Sequence, residues 1–335
     1  MINQILCIFT SYELKRFIYL YQIKYLILTD SLQAMTLKEK FQFKDRLIKG
    51  IEAEGRFKIS VVKTTNVVQA ARKNHNLSLL NTVLLGKTLT ASMLLASELK
   101  GEERIKLQLE GNGPVGLINA EANRVGEIRG YVQNPAAELD YKDSSITIGD
   151  GIGIGLLTVS KILYNEAEPR TSTIEIIKGD ITADVAHFIT QSEQVLSAVL
   201  LDVSLKDNGD VNQAGGVLIQ RLPGATDDVM EKLQNKLIDL PQISKLLEDG
   251  DYIDQIMKRA SEPFKVKELD RQPVHFFCRC TPDRFKDALS LLNLNDLKEM
   301  KDDDQEMICH YCGTSHTVTK QEIRKIIKSA QAKLN

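Results

Sequence analysis

Apolar and polar residues alternate over residues 56–68, with Phe57, Ile59 and Val61 on one side, and this predicts a strand ending at Thr65-Asn66. Two helices are predicted next, over 67–75 and 78–99. The second carries Leu80, Val83, Leu84, Leu89, Met93 and Leu94. The pattern then returns to strands at 104–109, 115–121 and 125–133, joined by a glycine turn at 111–113 and by Asn123. Further strands are expected at 145–148, 154–162 and 172–177, then a helix over 180–193. Strands at 195–205 and 214–221 flank the turn Asp207-Asn208-Gly209. Long helices beside consecutive antiparallel strands predict an α+β fold.

The pattern changes at 226–262. Thr226, Asp227 and Asp228 open a helix bearing Val229, Leu233 and Leu237. Pro241 opens a second, with Ile243, Leu246 and Leu247, ending at Gly250. Asp251 begins a third, with Ile253, Ile256 and Met257, stopped by Pro263. Such short amphipathic helices do not persist alone and need a surface to dock on. Toward the C-terminus, Thr281 caps a helix with Pro282 at its first position and Phe285, Ala288, Leu289 and Leu292 along one stripe. Met307–Val318 reads as a hairpin, and Thr319 with Glu322 as a capping box opening a last helix through Ile323, Ile326 and Ile327.

Composition adds bounds. Among 335 residues the formal net charge is −2 with 26% charged residues, so no global field recruits nucleic acid or an anionic membrane. The first 34 residues are rich in Ile, Leu and Tyr but broken by Glu13, Lys15, Arg16 and Lys24. They suit neither a membrane span nor a signal peptide. Met35 reads as a natural beginning, leaving 1–34 as an extension or a misassigned start, with Cys7 a bystander. The run Gly149-Asp150-Gly151-Ile152-Gly153-Ile154-Gly155 lacks the following helix that a dinucleotide loop needs and reads as a turn feeding a strand.

Chemistry concentrates in the cysteines. Four of the five lie as Cys278-Arg279-Cys280 and Cys309-His310-Tyr311-Cys312, with 28 residues between the pairs. Two close pairs on a long spacer can converge on one tetrahedral zinc. In an extended segment the Cys278 and Cys280 Cα atoms stand about 6.6 Å apart on one face, at the edge of the disulfide window. A turn lets Cys309 and Cys312 close a disulfide with little strain. Spacing alone leaves two readings open: an inert structural zinc knuckle, or a zinc site whose ligands also leave as local disulfides. His310 and His316 are expected beside the ligands rather than among them. His275 reads as a strand residue, and His75 and His187 as ordinary helix residues.

The run HFFCRCTPDRFKDALSLLNLNDL with MICHYCGTSHTV resembles the zinc-thiol domain of the redox-regulated heat-shock protein 33 family, the 33 kDa chaperonins of bacteria. Residues 84–135, which include GNGPVG and GEIRGYV, are similar to the family's N-terminal domain, and GGVLIQRLPGA at 215–225 to that domain's end. The resemblance spans about residues 45–335 and not the first 34. It implies a 35–225 N-terminal α+β chaperone domain of antiparallel sheets and helices, a 226–270 helical linker and a 271–335 C-terminal redox-switch zinc-thiolate domain. It implies one Zn2+ per chain held by Cys278, Cys280, Cys309 and Cys312. It further implies activation by Cys278–Cys280 and Cys309–Cys312 disulfides with zinc release. The implied function is a cytoplasmic, ATP-independent holdase, not an enzyme. Its partners would be unfolding client proteins and, in the oxidised form, a second copy, with no nucleic acid and no membrane.

Two other functions compete. A zinc-ribbon nucleic-acid-binding protein is suggested by Lys320, Arg324, Lys325, Lys328 and Lys333 on the last helix. Residues 271–335 nevertheless carry 11 Lys/Arg against 9 Asp/Glu, a net of only +2. A thiol oxidoreductase would place its C-x-x-C at a helix N-terminus, whereas Cys309 and Cys312 fall in a predicted hairpin.

Overall fold

Two antiparallel sheets enclose one buried helix. The description comes from a computed structural model and covers residues 44–140, 145–177 and 179–334. The readings made for residues 1–34 and Cys7 lie outside it.

The first sheet has five strands in the order β10 (Val266–Pro273), β1 (Arg46–Glu52), β2 (Phe57–Lys63), β9 (Val211–Arg221) and β8 (Ser197–Leu205). The second has six: β11 (His275–Phe276), β5 (Glu127–Val132), β4 (Leu117–Asn123), β3 (Arg104–Gly111), β6 (Gly155–Ile162) and β7 (Arg170–Glu175). All pairings are antiparallel except β11 with β5. Between the sheets runs α2 (Leu79–Ala96), touching β2, β8 and β9 on one side and β3, β4 and β5 on the other. Buried around most of its circumference, it is a core helix. It has the length and hydropathy of a membrane span, but 83% of it is buried inside the fold. Its hydroxyls are satisfied internally: Thr88 donates to the Leu84 carbonyl, Thr90 to Gly86 and Ser92 to Leu89, each at 2.8 Å.

The outer face of the five-stranded sheet is covered by α4 (Asp227–Ile238), α5 (Ile243–Glu248) and α6 (Ile253–Ser261). Met230, Leu233, Ile243 and Ile256 pack there against Ile48, Phe57, Ile59 and Val217. The three short helices thus find the surface they require.

Two local readings are corrected, while the glycine run is a turn feeding a strand, as expected. The stretch 145–148 is not a strand; the chain makes a 3-10 turn at Ile148–Gly151 before β6. The sequence reading contained neither β1 nor β10, which pair with each other from opposite ends of the fold. The glycine run is structural. An added Cβ on Gly111 would stand 2.2 Å from the Ile152 carbonyl oxygen, and one on Gly113 2.5 Å from that of Gly151. Here two loops lie backbone to backbone, with Gly113 N–H donating to Ile152 O at 2.8 Å. Gly111→Ala is therefore expected to cost roughly 1–3 kcal/mol, the range of a buried overpacking change. Chemical denaturation measures it, and a midpoint equal to wild type would contradict the close-approach argument.

Candidate metal centre

Where the chain leaves the first sheet it joins the second. Val274, buried between β10 and β11, donates its N–H to the Asp45 carbonyl at 3.1 Å. β11 then runs beside Glu127 and Ile128 of β5, so the next residues, through Cys278 and Cys280, are carried along the edge of the six-stranded sheet. After them comes α7 (Pro282–Leu289), capped by Thr281, whose hydroxyl accepts from Arg284 N–H at 3.3 Å. α8 (Leu294–Glu299) leads to the hairpin of β12 (Gln305–Ile308) and β13 (Ser315–Val318), followed by α9 (Lys320–Leu334). The capping box forms as read: Thr319 N–H donates to Glu322 at 3.0 Å, and Glu322 N–H to the Thr319 hydroxyl at 3.4 Å.

Cys309 and Cys312 occupy the hairpin's connection. Gly313 N–H donates to Cys309 O at 2.8 Å and Cys309 N–H to Thr314 O at 2.9 Å, forming a knuckle that turns both side chains inward. Gly313 has a φ of +67°, and an added Cβ would stand 2.3 Å from the Asn74 carbonyl. Glycine is thus required both by the turn and by close approach to α1 (Thr65–His75).

The four sulfurs converge within 4.8 Å of one another, compact enough for a single metal ion. Cys278 Sγ is 3.7 Å from Cys309 Sγ, and Cys280 Sγ is 3.3 Å from Cys312 Sγ. Burial pushes the Cys280 and Cys309 thiols up. It acts in the same direction on Cys312, but hydrogen bonds from Thr314 and the neighbouring thiols outweigh it and hold Cys312 down, to about 7. Cys312 is thus shifted toward its thiolate form, in the opposite direction to Cys280 and Cys309.

The histidines divide. His316 Nε2 lies 3.5 Å from Cys280 Sγ with its ring against Phe285, and His310 meets Tyr131 edge-on, so both sit beside the cluster. His275 is in β11 as expected. His75 is more than an ordinary helix residue: its Nε2 is 3.2 Å from the Tyr311 carbonyl, inside the knuckle. The sequence reading also missed Arg129. Its guanidinium lies 3.6 Å from Cys278 Sγ, grips Glu121 at 3.0 Å and covers the Tyr311 ring at 4.1 Å. Arg279, between the first two cysteines, reaches Glu127 at 2.8 Å. No spacing rule marks these residues, because each acts across more than a hundred positions.

Fold and site together define an α+β protein whose C-terminal part is organised around four converging cysteines and fastened to a sheet edge. A family model described as Hsp33 protein matches residues 45–319. The chain belongs to this family. A 33 kDa chaperonin of Desulforamulus reducens is 35% identical over 292 residues, covering 86% of this chain and 99% of that protein. One of Thermus thermophilus is 36% identical over 295 residues, covering 84% and 86%. The crystal structure of the Thermotoga maritima 33 kDa chaperonin, a heat shock protein 33 homologue, superposes with a TM-score of 0.80. It is 28% identical and covers 86% of this chain and 99% of that one.

Proposed function

We propose that this chain is a redox-regulated, ATP-independent holdase chaperone of the cytoplasm, without catalytic activity, that takes up unfolding proteins under oxidative stress. The observation that carries the reading is the convergence of four thiols in a tail that cannot hold itself together. Among the described residues, the tail's own core has five buried apolar side chains: Leu289, Leu297, Val318, Ile323 and Ile327. So small a core needs a staple. The family's members named chaperonins support the chaperone class.

Zinc suits the site. A zinc–sulfur bond of about 2.3 Å puts tetrahedral ligands about 3.8 Å apart, and Cys278 and Cys309 stand 3.7 Å apart. Bound Zn2+ would supply four thiolate bonds tying the C-x-C strand to the knuckle. The division into an N-terminal domain (35–225), a linker (226–270) and a switch domain (271–335) belongs to the same reading. Oxidation would convert the ligands to Cys278–Cys280 and Cys309–Cys312 disulfides, free the metal and loosen the tail. The linker helices would then leave the sheet, whose apolar face would take up clients, with the active form a homodimer. The test measures zinc content and suppression of client aggregation on one sample before and after peroxide. Zinc loss and suppression should rise together; suppression that is complete in the reduced, zinc-loaded chain would refute the switch.

The disulfides should form in order. The Cys312 thiolate attacks peroxide, giving a sulfenic acid and hydroxide. The Cys309 thiol then displaces the hydroxyl, giving the disulfide and water. Cys280 Sγ stands 3.3 Å from Cys312 Sγ in the reduced fold, so a Cys280–Cys312 bond is the competing product. The knuckle favours Cys309, since one turn keeps the two together once the metal bonds weaken. The C-x-C pair is near the limit of disulfide geometry while its strand stays extended, and closes afterwards. Mass-spectrometric mapping over a peroxide time course decides the order; early Cys278–Cys280 with Cys309 and Cys312 still reduced would sink it.

A further inference from the structure

Arg129 of β5 touches both arms of the cysteine tail, Cys278 itself and Tyr311 of the knuckle. Its side chain is largely buried, and its other nitrogen donates to both carboxylate oxygens of Glu121 on β4 at 3.0 Å. Glu121 fixes the guanidinium in place and supplies its counter-charge. The guanidinium plane is then free to lie over Tyr311, while its edge points at Cys278 Sγ.

Three contacts on one planar cation have different dependences. The Glu121 fork does not involve the sulfurs. The stack on Tyr311 depends on where the knuckle sits. The Cys278 contact depends on the sulfur's charge: a cation–thiolate hydrogen bond is charge-assisted, whereas a disulfide sulfur is a neutral, weak acceptor. A divalent ion held by four thiolates is still a net anion, and Arg129 is placed to offset it.

We infer that Arg129 is a clasp that fastens the C-x-C strand and the knuckle to β5 through the anionic Cys278 sulfur, so that loss of that charge releases the tail from the sheet. This deepens the redox reading and rests on it. When Cys278 and Cys280 close a disulfide, the two thiolates give two electrons to a peroxide, whose O–O bond breaks to leave two hydroxides. Arg129 then keeps Glu121 and loses its acceptor on the tail. Arg129 is a positioning residue: it acts on the cysteines and takes no part in the electron transfer.

The test uses the full chain, reduced and saturated with metal, in three variants. In Arg129→Gln with zinc, amides of residues 275–280 and 309–313 should exchange at least tenfold faster than in wild type. Arg129→Lys, which keeps the charge but not the planar fork, should fall between them. With cobalt in place of zinc, Arg129→Gln should shift the thiolate-to-metal absorption to longer wavelength, because Cys278 loses a hydrogen-bond donor. Tyr311→Leu, which removes the ring over Arg129 and its edge contact with Tyr131 but leaves Cys278 its donor, should leave that band in place. Exchange equal to wild type in Arg129→Gln, or a band that Arg129→Gln does not move, would overturn the clasp. A wild-type chain that takes up neither metal would instead refute the metal centre. One that forms no disulfide with peroxide would refute the redox reading.

Discussion

Cys312→Ser is expected to remove the metal and unfold the C-terminal part while leaving the two-sheet body intact. Cys312 is buried, 3.3 Å from Cys280, and its neighbours hold its thiol below the usual range. A serine hydroxyl does not ionise near neutral pH and is a poor ligand for a soft site. Structural zinc centres contribute roughly 10–16 kcal/mol of apparent binding free energy, shared among the ligands and linked to folding. Losing one thiolate removes several kcal/mol from a tail with five buried apolar side chains of its own. Zinc per chain should fall at least tenfold on metal analysis after dialysis. Amides of β12, β13 and α9 should lose protection while those of α2 keep theirs. Wild-type zinc content in this variant would exclude Cys312 as a ligand.

Ile256→Asp should uncouple chaperone activity from oxidation. Ile256 is fully buried at the contact of α6 with the five-stranded sheet. An unpaired carboxylate there costs several kcal/mol, more than a nine-residue helix can return by itself. α6 should undock and loosen α4 and α5, which share its cluster through Met230 and Ile243. The reduced, zinc-loaded variant should then suppress aggregation of a heat-unfolded client to at least half the level of oxidised wild type, with its zinc retained. Ile256→Val, a volume change of one methylene, should remain quiescent. Undocked helices, seen by hydrogen exchange, in a chain that stays inactive would show that this sheet face does not bind clients.

The central helix was legible because its apolar residues recur at helical spacing and its few polar ones are small or isolated. α4 to α6 were legible because Thr226, Pro241 and Asp251 punctuate them. The Thr319–Glu322 cap was legible because its partners lie three residues apart. The candidate centre was readable for the same reason: within each cysteine pair the spacing is local, so C-x-C and C-x-x-C announce themselves. The β1–β10 pairing was not readable. Each strand is short and half-polar, and its assignment depends on a partner at the other end of the chain. The 3-10 turn at Ile148–Gly151 escaped because its shape is dictated by the Gly111–Gly113 loop packed on it.

Local spacing by itself therefore determined the four-cysteine set, the helices that flank it and the α+β class. The tertiary structure alone decided that the cysteine tail is fastened to β5. It also placed His75 at the Tyr311 carbonyl and set Arg129 beside Cys278, 149 residues away in the chain. The physical reason is the range of each cause. Helix period, caps and turn ligands act over one to four residues and leave a mark in the sequence. A charge facing a sulfur across two sheet edges is set by how the whole chain closes, and no short window of residues encodes it.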